Sequence, residues 1–204
     1  MDNSVALVQA YLRLNGYFTV SEFPVIASTK GGGYRTATDL DILAVRFPRA
    51  GRITPGAGRR AAGDEEHLDP DPALGVSAEH ADMIVGEVKE GRAALNEAAT
   101  DPGVIRAALA AFGCCSRDEA PGIVQTLLRD GTAQLPIGHR IRYVVFAALT
   151  GEAVGQYHVI SLRHVVDFLR TYIGEHWEML HHADSKDPAF GFLMTLAKAE
   201  RGSP

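Results

Sequence analysis

Cysteine is nearly absent from this chain: two among 204 residues, Cys114 and Cys115, side by side. Sequence neighbours make a poor disulfide pair, and two thiols are too few for a zinc knuckle, so neither scaffold is expected. No apolar run approaches the roughly 20 residues needed to cross a bilayer, which argues against membrane association. Positive charge is in deficit, with 20 Lys and Arg against 25 Asp and Glu and a net charge of -5. Bulk positive charge therefore cannot hold nucleic acid, and any such contact must use a local basic patch or a metal ion. The opening stretch MDNSVALVQAYLRLNG has an acid at its second position, no basic leader and no small-residue cleavage site. A signal peptide is not expected, and a cytoplasmic location is. Hydrophobic residues make up 46% and charged residues 22%, which excludes disordered, collagen-like and mucin-like classes. The length suits one domain, 1–204.

Val5, Leu7, Val8, Tyr11, Leu12 and Leu14 recur at helical spacing before Gly16, predicting a helix over 4–15 capped by Asn3 or Ser4. The period then changes. Tyr17, Phe18, Val20, Phe23, Val25 and Ile26 predict a strand interrupted near Pro24, and 39–47 predict a second. The glycine-rich stretch 30–34 between them reads as a hairpin turn. Residues 82–89 form a third strand, 104–112 and 119–129 two helices, and 141–149 and 157–160 two further strands. Ser161 is placed to cap a helix in the C-terminal helical region 161–200, which closes with a helix over 188–199 after Asp187. The order predicts an α/β domain with a mixed β-sheet flanked by helices.

Residues 48–80 differ in kind. They hold prolines at 48, 55, 70 and 72 and no sustained periodicity, and their charge is segregated. Arg49, Arg52, Arg59 and Arg60 come first, then Asp64, Glu65, Glu66, Asp69, Asp71 and Glu79. This predicts a long mobile insertion between two strands, of the kind that is either functional or disordered.

Chemistry concentrates in two strand ends, Asp39-Leu40-Asp41-Ile42-Leu43-Ala44 and Gly86-Glu87-Val88-Lys89. Strand alternation puts Asp39 with Asp41 on one face and Glu87 with Lys89 on one face. If the strands are neighbours, a carboxylate from each meets a lysine. Two anions ~4 Å apart repel by about 4 kcal/mol at an effective dielectric of 20, so such a site calls for a cation or a proton. Asp41 and Glu87 suit Mg²⁺ or Mn²⁺, with the Val88 carbonyl as a further oxygen. Such a cation polarises a phosphate and acidifies a bound water, while Lys89 positions that water and offsets transition-state charge. Asp39 reads as a surface residue.

Helix, strand, a strand carrying Asp41-Ile42-Leu43-Ala44, a strand ending in Glu87-Val88-Lys89, then a helix: this order resembles the PD-(D/E)xK nuclease superfamily of restriction endonucleases and Holliday-junction resolvases. The resemblance spans roughly residues 4–150 in element order, and its specific part is the few motif positions. It implies a restriction-endonuclease-like core. It also implies metal-dependent hydrolysis of phosphodiester bonds in nucleic acid, expected to be DNA, with a role in restriction, repair or defence. Asp41, Glu87 and Lys89 would be catalytic; Asp41, Glu87 and Val88 would hold the metal. Two departures stand out: the first helix offers Gln9 where many relatives have an acid, and the insertion 48–80 is much longer than a resolvase connection. The alternatives are a catalytically inactive binding or structural module of the same fold, and a metal-dependent hydrolase of small phosphate esters with the insertion as a lid.

Other polar clusters have plainer readings. His176, His181, His182 and Asp184 miss the i, i+4 spacing of a shared metal face and read as a solvated helix end. Cys114 and Cys115 read as small buried or half-buried thiols. His139, Arg140 and Arg142, with Arg46, Arg92 and Arg163, are candidate phosphate contacts or else a solvated strand end. Phe190, Phe192, Leu193, Met194 and Leu196 read as a packing helix or a homodimer contact.

Overall fold

A computed structural model describes residues 2–54, 66–94, 96–149, 155–182 and 185–202. Helix α1 (Asn3–Leu14) opens the chain with its apolar face buried. Its cap is Asp2, whose Oδ1 accepts the Ser4 N–H at 3.0 Å, not Asn3 or Ser4. A carboxylate there satisfies an orphan amide and also meets the positive end of the helix dipole.

Strands β1 (Phe18–Thr29) and β2 (Gly33–Arg46) form the expected antiparallel hairpin, paired from Phe18↔Val45 to Thr29↔Gly33. β2 starts six residues earlier than predicted, because Tyr34-Arg35-Thr36-Ala37-Thr38 suits a strand by propensity while lacking an apolar face. Pro24 does not interrupt β1, which is the edge strand of the sheet and tolerates a missing ladder N–H. The register shifts just beyond it, between Val25 and Ile26.

Part of the insertion forms short regular elements. β3 (Arg52–Thr54) and β4 (Glu66–Leu68) pair antiparallel, and a 3-10 turn follows at Pro72–Leu74. Leu74 is fully buried. Three-residue elements are too short to leave a period, which is why pattern alone missed them. Pro55, Arg59, Arg60, Asp64 and Glu65 lie outside the described residues.

The main sheet has six strands. Its remaining members are β5 (Asp82–Arg92), β6 (Thr132–Gln134), β7 (Arg140–Leu149) and β8 (His158–Ser161). The order is β1-β2-β5-β7-β6, with β8 also on β7. β2 runs antiparallel to β5, whereas β5–β7 and β7–β8 are parallel, so the sheet is mixed. β6 escaped the sequence because Thr132, Ala133 and Gln134 offer one apolar residue. Central strands β5 and β7 are buried on both faces and accordingly read as near-continuous apolar runs.

The helices cover both faces. α1, α4 (Leu162–Glu175), α5 (Trp177–Leu180) and α6 (Pro188–Arg201) pack over Ile42, Ile84, Val144 and Phe146. α2 (Pro102–Phe112) and α3 (Ala120–Asp130) pack over Leu43, Met83, Val85 and Tyr143. Ser161 and Asp187 cap α4 and α6 as their positions predict, and Asp101 caps α2, which starts at Pro102, two residues before the predicted 104. Among the described residues no helix is long and apolar enough to cross a membrane.

Candidate metal centre at a fork in the sheet

β2 and β5 pair from Arg46↔Asp82 to Ile42↔Gly86 and then part. In a continuing ladder Asp41 would face Glu87. Instead the Asp41 carboxylate reaches across the opening, and its Oδ2 accepts the Val88 N–H at 2.7 Å. A side-chain oxygen thus stands where a ladder carbonyl would be. On an extended strand the N–H and C=O of one residue leave on the same side, so the Val88 carbonyl faces the same gap. Gly86, the last paired residue, permits the close approach that sets the fork, since a Cβ there would lie 3.0 Å from Ile42 Cβ.

Two backbone irregularities mark the same level. Glu22, opposite Asp41 on β1, has φ 53 and drops out of a ladder that holds Ser21↔Ile42 and Phe23↔Leu40. The alternation of β2 also breaks there: Leu40 and Leu43 join one core, Ile42 and Ala44 the other. Bulge-like breaks of this kind re-aim side chains. Glu22 carried no signal in the sequence, because its place depends on a conformation that polar–apolar patterning does not encode.

Glu87 is buried, at 4% exposure, and its Oε1 lies 2.5 Å from Lys89 Nζ, so the two share a face as alternation requires. The Asn96 backbone N–H also hydrogen bonds to this carboxylate. Asn96 leads into a 3-10 turn at Ala98–Thr100, which the Tyr143 hydroxyl ties down through the Ala99 carbonyl. Gln9 does not substitute for a helix acid; its amide donates to Ser21 Oγ at 3.3 Å. Asp39 is exposed, in keeping with a surface role.

Burial pushes both carboxyls above the ordinary carboxylate range. For Asp41 it outweighs the Val88 N–H and the Lys89 charge, with Asp2 and Glu22 adding repulsion. For Glu87 it outweighs the Lys89 hydrogen bond, with Asp41 adding repulsion. Desolvated oxygens short of positive charge fit a small, hard cation that retains several waters. Among the described residues no group of three or more His, Cys, Asp or Glu is placed to hold a metal ion. The available donors are therefore Asp41, Glu87, the Val88 carbonyl and water.

Of the candidate basic residues, Arg46, Arg140 and Arg142 answer partners within the fold. Arg142 and Arg140 are spent on Asp82, at 2.8 and 2.7 Å. Arg46 is buried and donates to the Asn15 and Ala50 carbonyls. All three sit at the Asp82 end of β5, whereas Glu87 is five residues along, roughly 17 Å at strand rise. Arg92 and Arg163 are exposed, the latter 3.6 Å from Asp167. An apolar cavity of about 410 Å³, lined by Phe18, Val45, Phe47, Met83, Phe112 and His139 among others, also contains none of Asp41, Glu87 and Lys89.

His181 stacks on Trp177, and its Nδ1 lies 2.7 Å from the Trp177 carbonyl oxygen, as in a helix-end role. Asp184 lies outside the described residues. Cys114 is buried and Cys115 half-buried, both free, and burial pushes the Cys114 thiol up to about 11. Phe190 and Met194 pack into the core, while Phe192 is exposed.

The chain is thus an α/β protein with a mixed sheet and an acid–acid–lysine fork between β2 and β5. Comparison with protein-family models, curated proteins and solved structures finds no match.

Proposed function

We propose that this chain is a metal-dependent phosphodiester hydrolase of the PD-(D/E)xK kind, acting on nucleic acid, DNA first among them, in the cytoplasm. The observation that carries this is the meeting of Asp41 with Glu87, Val88 and Lys89 across an unzipped stretch of two neighbouring strands. Asp41, Glu87 and the Val88 carbonyl would hold Mg²⁺ or Mn²⁺, which when bound supplies Lewis-acid polarisation of the scissile phosphate. Lys89 orients the attacking water and offsets the negative charge that grows on the phosphoryl oxygens. The Asn96 N–H holds Glu87 in place. Phe192 and Leu196, exposed on α6, offer a contact for a second copy of the chain.

A second reading, an inactive nuclease-fold binding or structural module, is favoured by one observation: the arginines Arg46, Arg140 and Arg142 answer internal partners, leaving few cations for a polyanion. A cleavage panel separates the two. Single-stranded, duplex and branched DNA and RNA are incubated with Mg²⁺ or Mn²⁺ and either wild type or Lys89→Ala. Metal-dependent cutting by the wild type, with loss of about 10²-fold or more in Lys89→Ala, is the expected result. Undiminished cutting by Lys89→Ala removes the lysine from the mechanism, and a wild type that binds without cutting favours the inactive module.

A further inference from the structure

We infer that Lys89 is a placeholder cation: its ammonium holds the position on Glu87 that a divalent ion takes, and it must swing away before the centre loads. This rests on the metal-hydrolase reading above. Lys89 Nζ lies 2.5 Å from Glu87 Oε1, a direct contact with no room for an ion between them. The same ammonium acts electrostatically on Asp41 as well, so one lysine answers two desolvated carboxylates. Its single charge leaves the pair one positive charge short, whereas a divalent ion in its place would balance both carboxylates, and the two cations repel each other at this distance.

The geometry lets the lysine leave. The Glu87 side chain is 6% exposed and held by strand β5, whereas Lys89 is 32% exposed on a four-carbon stem whose tip can turn to water or to a phosphate without backbone movement. Lys89 therefore has two stations. On Glu87 it stabilises the unloaded fork and opposes metal entry; off Glu87 it is free for the phosphate. A lysine that only served chemistry would leave metal affinity unchanged on removal, and one that organised the ligands would weaken it.

Calorimetric titration of the full chain with Mn²⁺ alone, at pH 8 and without nucleic acid, tests this. Lys89→Met, similar in length and uncharged, is expected to bind Mn²⁺ about tenfold or more tightly than wild type, although it no longer cuts. Lys89→Arg, which keeps the charge, should stay within about threefold of wild type. Asp41→Asn should abolish the titration in both backgrounds. Equal or weaker binding by Lys89→Met, still lost on Asp41→Asn, overturns the placeholder role while leaving the metal centre standing. If no protein shows binding that depends on Asp41, the metal centre itself fails and the placeholder with it. Lys89→Gln, checked by circular dichroism, replaces Lys89→Met should the latter not fold.

Discussion

The two ends of β5 each bury an acid, and they treat it differently. At the Asp82 end the carboxylate accepts from Arg140 at 2.7 Å, from Arg142 at 2.8 Å and from the Tyr17 hydroxyl at 2.5 Å. Nearby, Asp71 accepts from the Tyr11 hydroxyl and lies 2.5 Å from His164 Nε2. Burial works to raise Asp71, but the Ala73 N–H, His164 and Tyr11 outweigh it and hold it below the ordinary range. At the Glu87 end burial wins, and both Glu87 and Asp41 are pushed up. At one end each acid is fully bonded by donors and serves the fold. The other has a surplus of negative charge and is suited to receive something. Burial of an acid does not separate structural from functional positions; the balance of its partners does.

The largest effect should come from breaking the answered end. Asp82→Ala strands the Arg142 guanidinium in the core and is expected to cost about 3–5 kcal/mol in urea unfolding. A loss under 1 kcal/mol would show that this network is no more structural than the fork. Gly86→Ala comes next. Its methyl meets Ile42 at 3.0 Å, so about 1–3 kcal/mol should be lost, and metal-dependent cutting should fall with it as the fork is forced apart. An alanine protein with unchanged stability would refute the tight approach. The smallest effect has a sign that differs between the ends. Asp41 and Glu87, raised in the fold, lend stability at acid pH that is lost as pH rises through their elevated values. Asp71, lowered in the fold, lends stability at neutral pH that is lost as pH falls through its depressed value. Without divalent ions, thermal midpoints measured from pH 3 to 8 should therefore rise for Asp41→Asn at neutral pH and drop for Asp71→Asn. Parallel shifts would dissolve the contrast.

Much of the scaffold was legible locally. Asp101-Pro102, Ser161 and Asp187-Pro188 announce helix starts by satisfying orphan amides within three residues, and β5 and β7 announce themselves by unbroken apolar runs. Asp41, Glu87 and Lys89 were legible as candidates, Glu87 and Lys89 by alternation on one strand, whereas the reach of Asp41 to Val88 also needed the break in β2 and the fork that sequence does not encode. Glu22 and Asn96 were not legible. One enters through a positive φ and the other through a loop tied down by Tyr143, and neither leaves a trace in polarity. The role of the arginines was left open for a similar reason. A strand-end Arg140 or Arg142 looks like a free cation until Asp82, some 60 positions away in the chain, is found bonded to it.

From the amino-acid order alone come the α/β class, the caps of α2, α4 and α6 and the central strands, since each depends on periodicity or on contacts a few residues long, whereas Asp41 meets Val88 across 47 positions through the pairing of β2 with β5. Tertiary structure alone decided which partners each acid meets: Asp82 two arginines, Asp71 a tyrosine and a histidine, Asp41 and Glu87 a single shared lysine. Charge balance in a buried site is set by distance and desolvation across distant segments, and a linear sequence records neither.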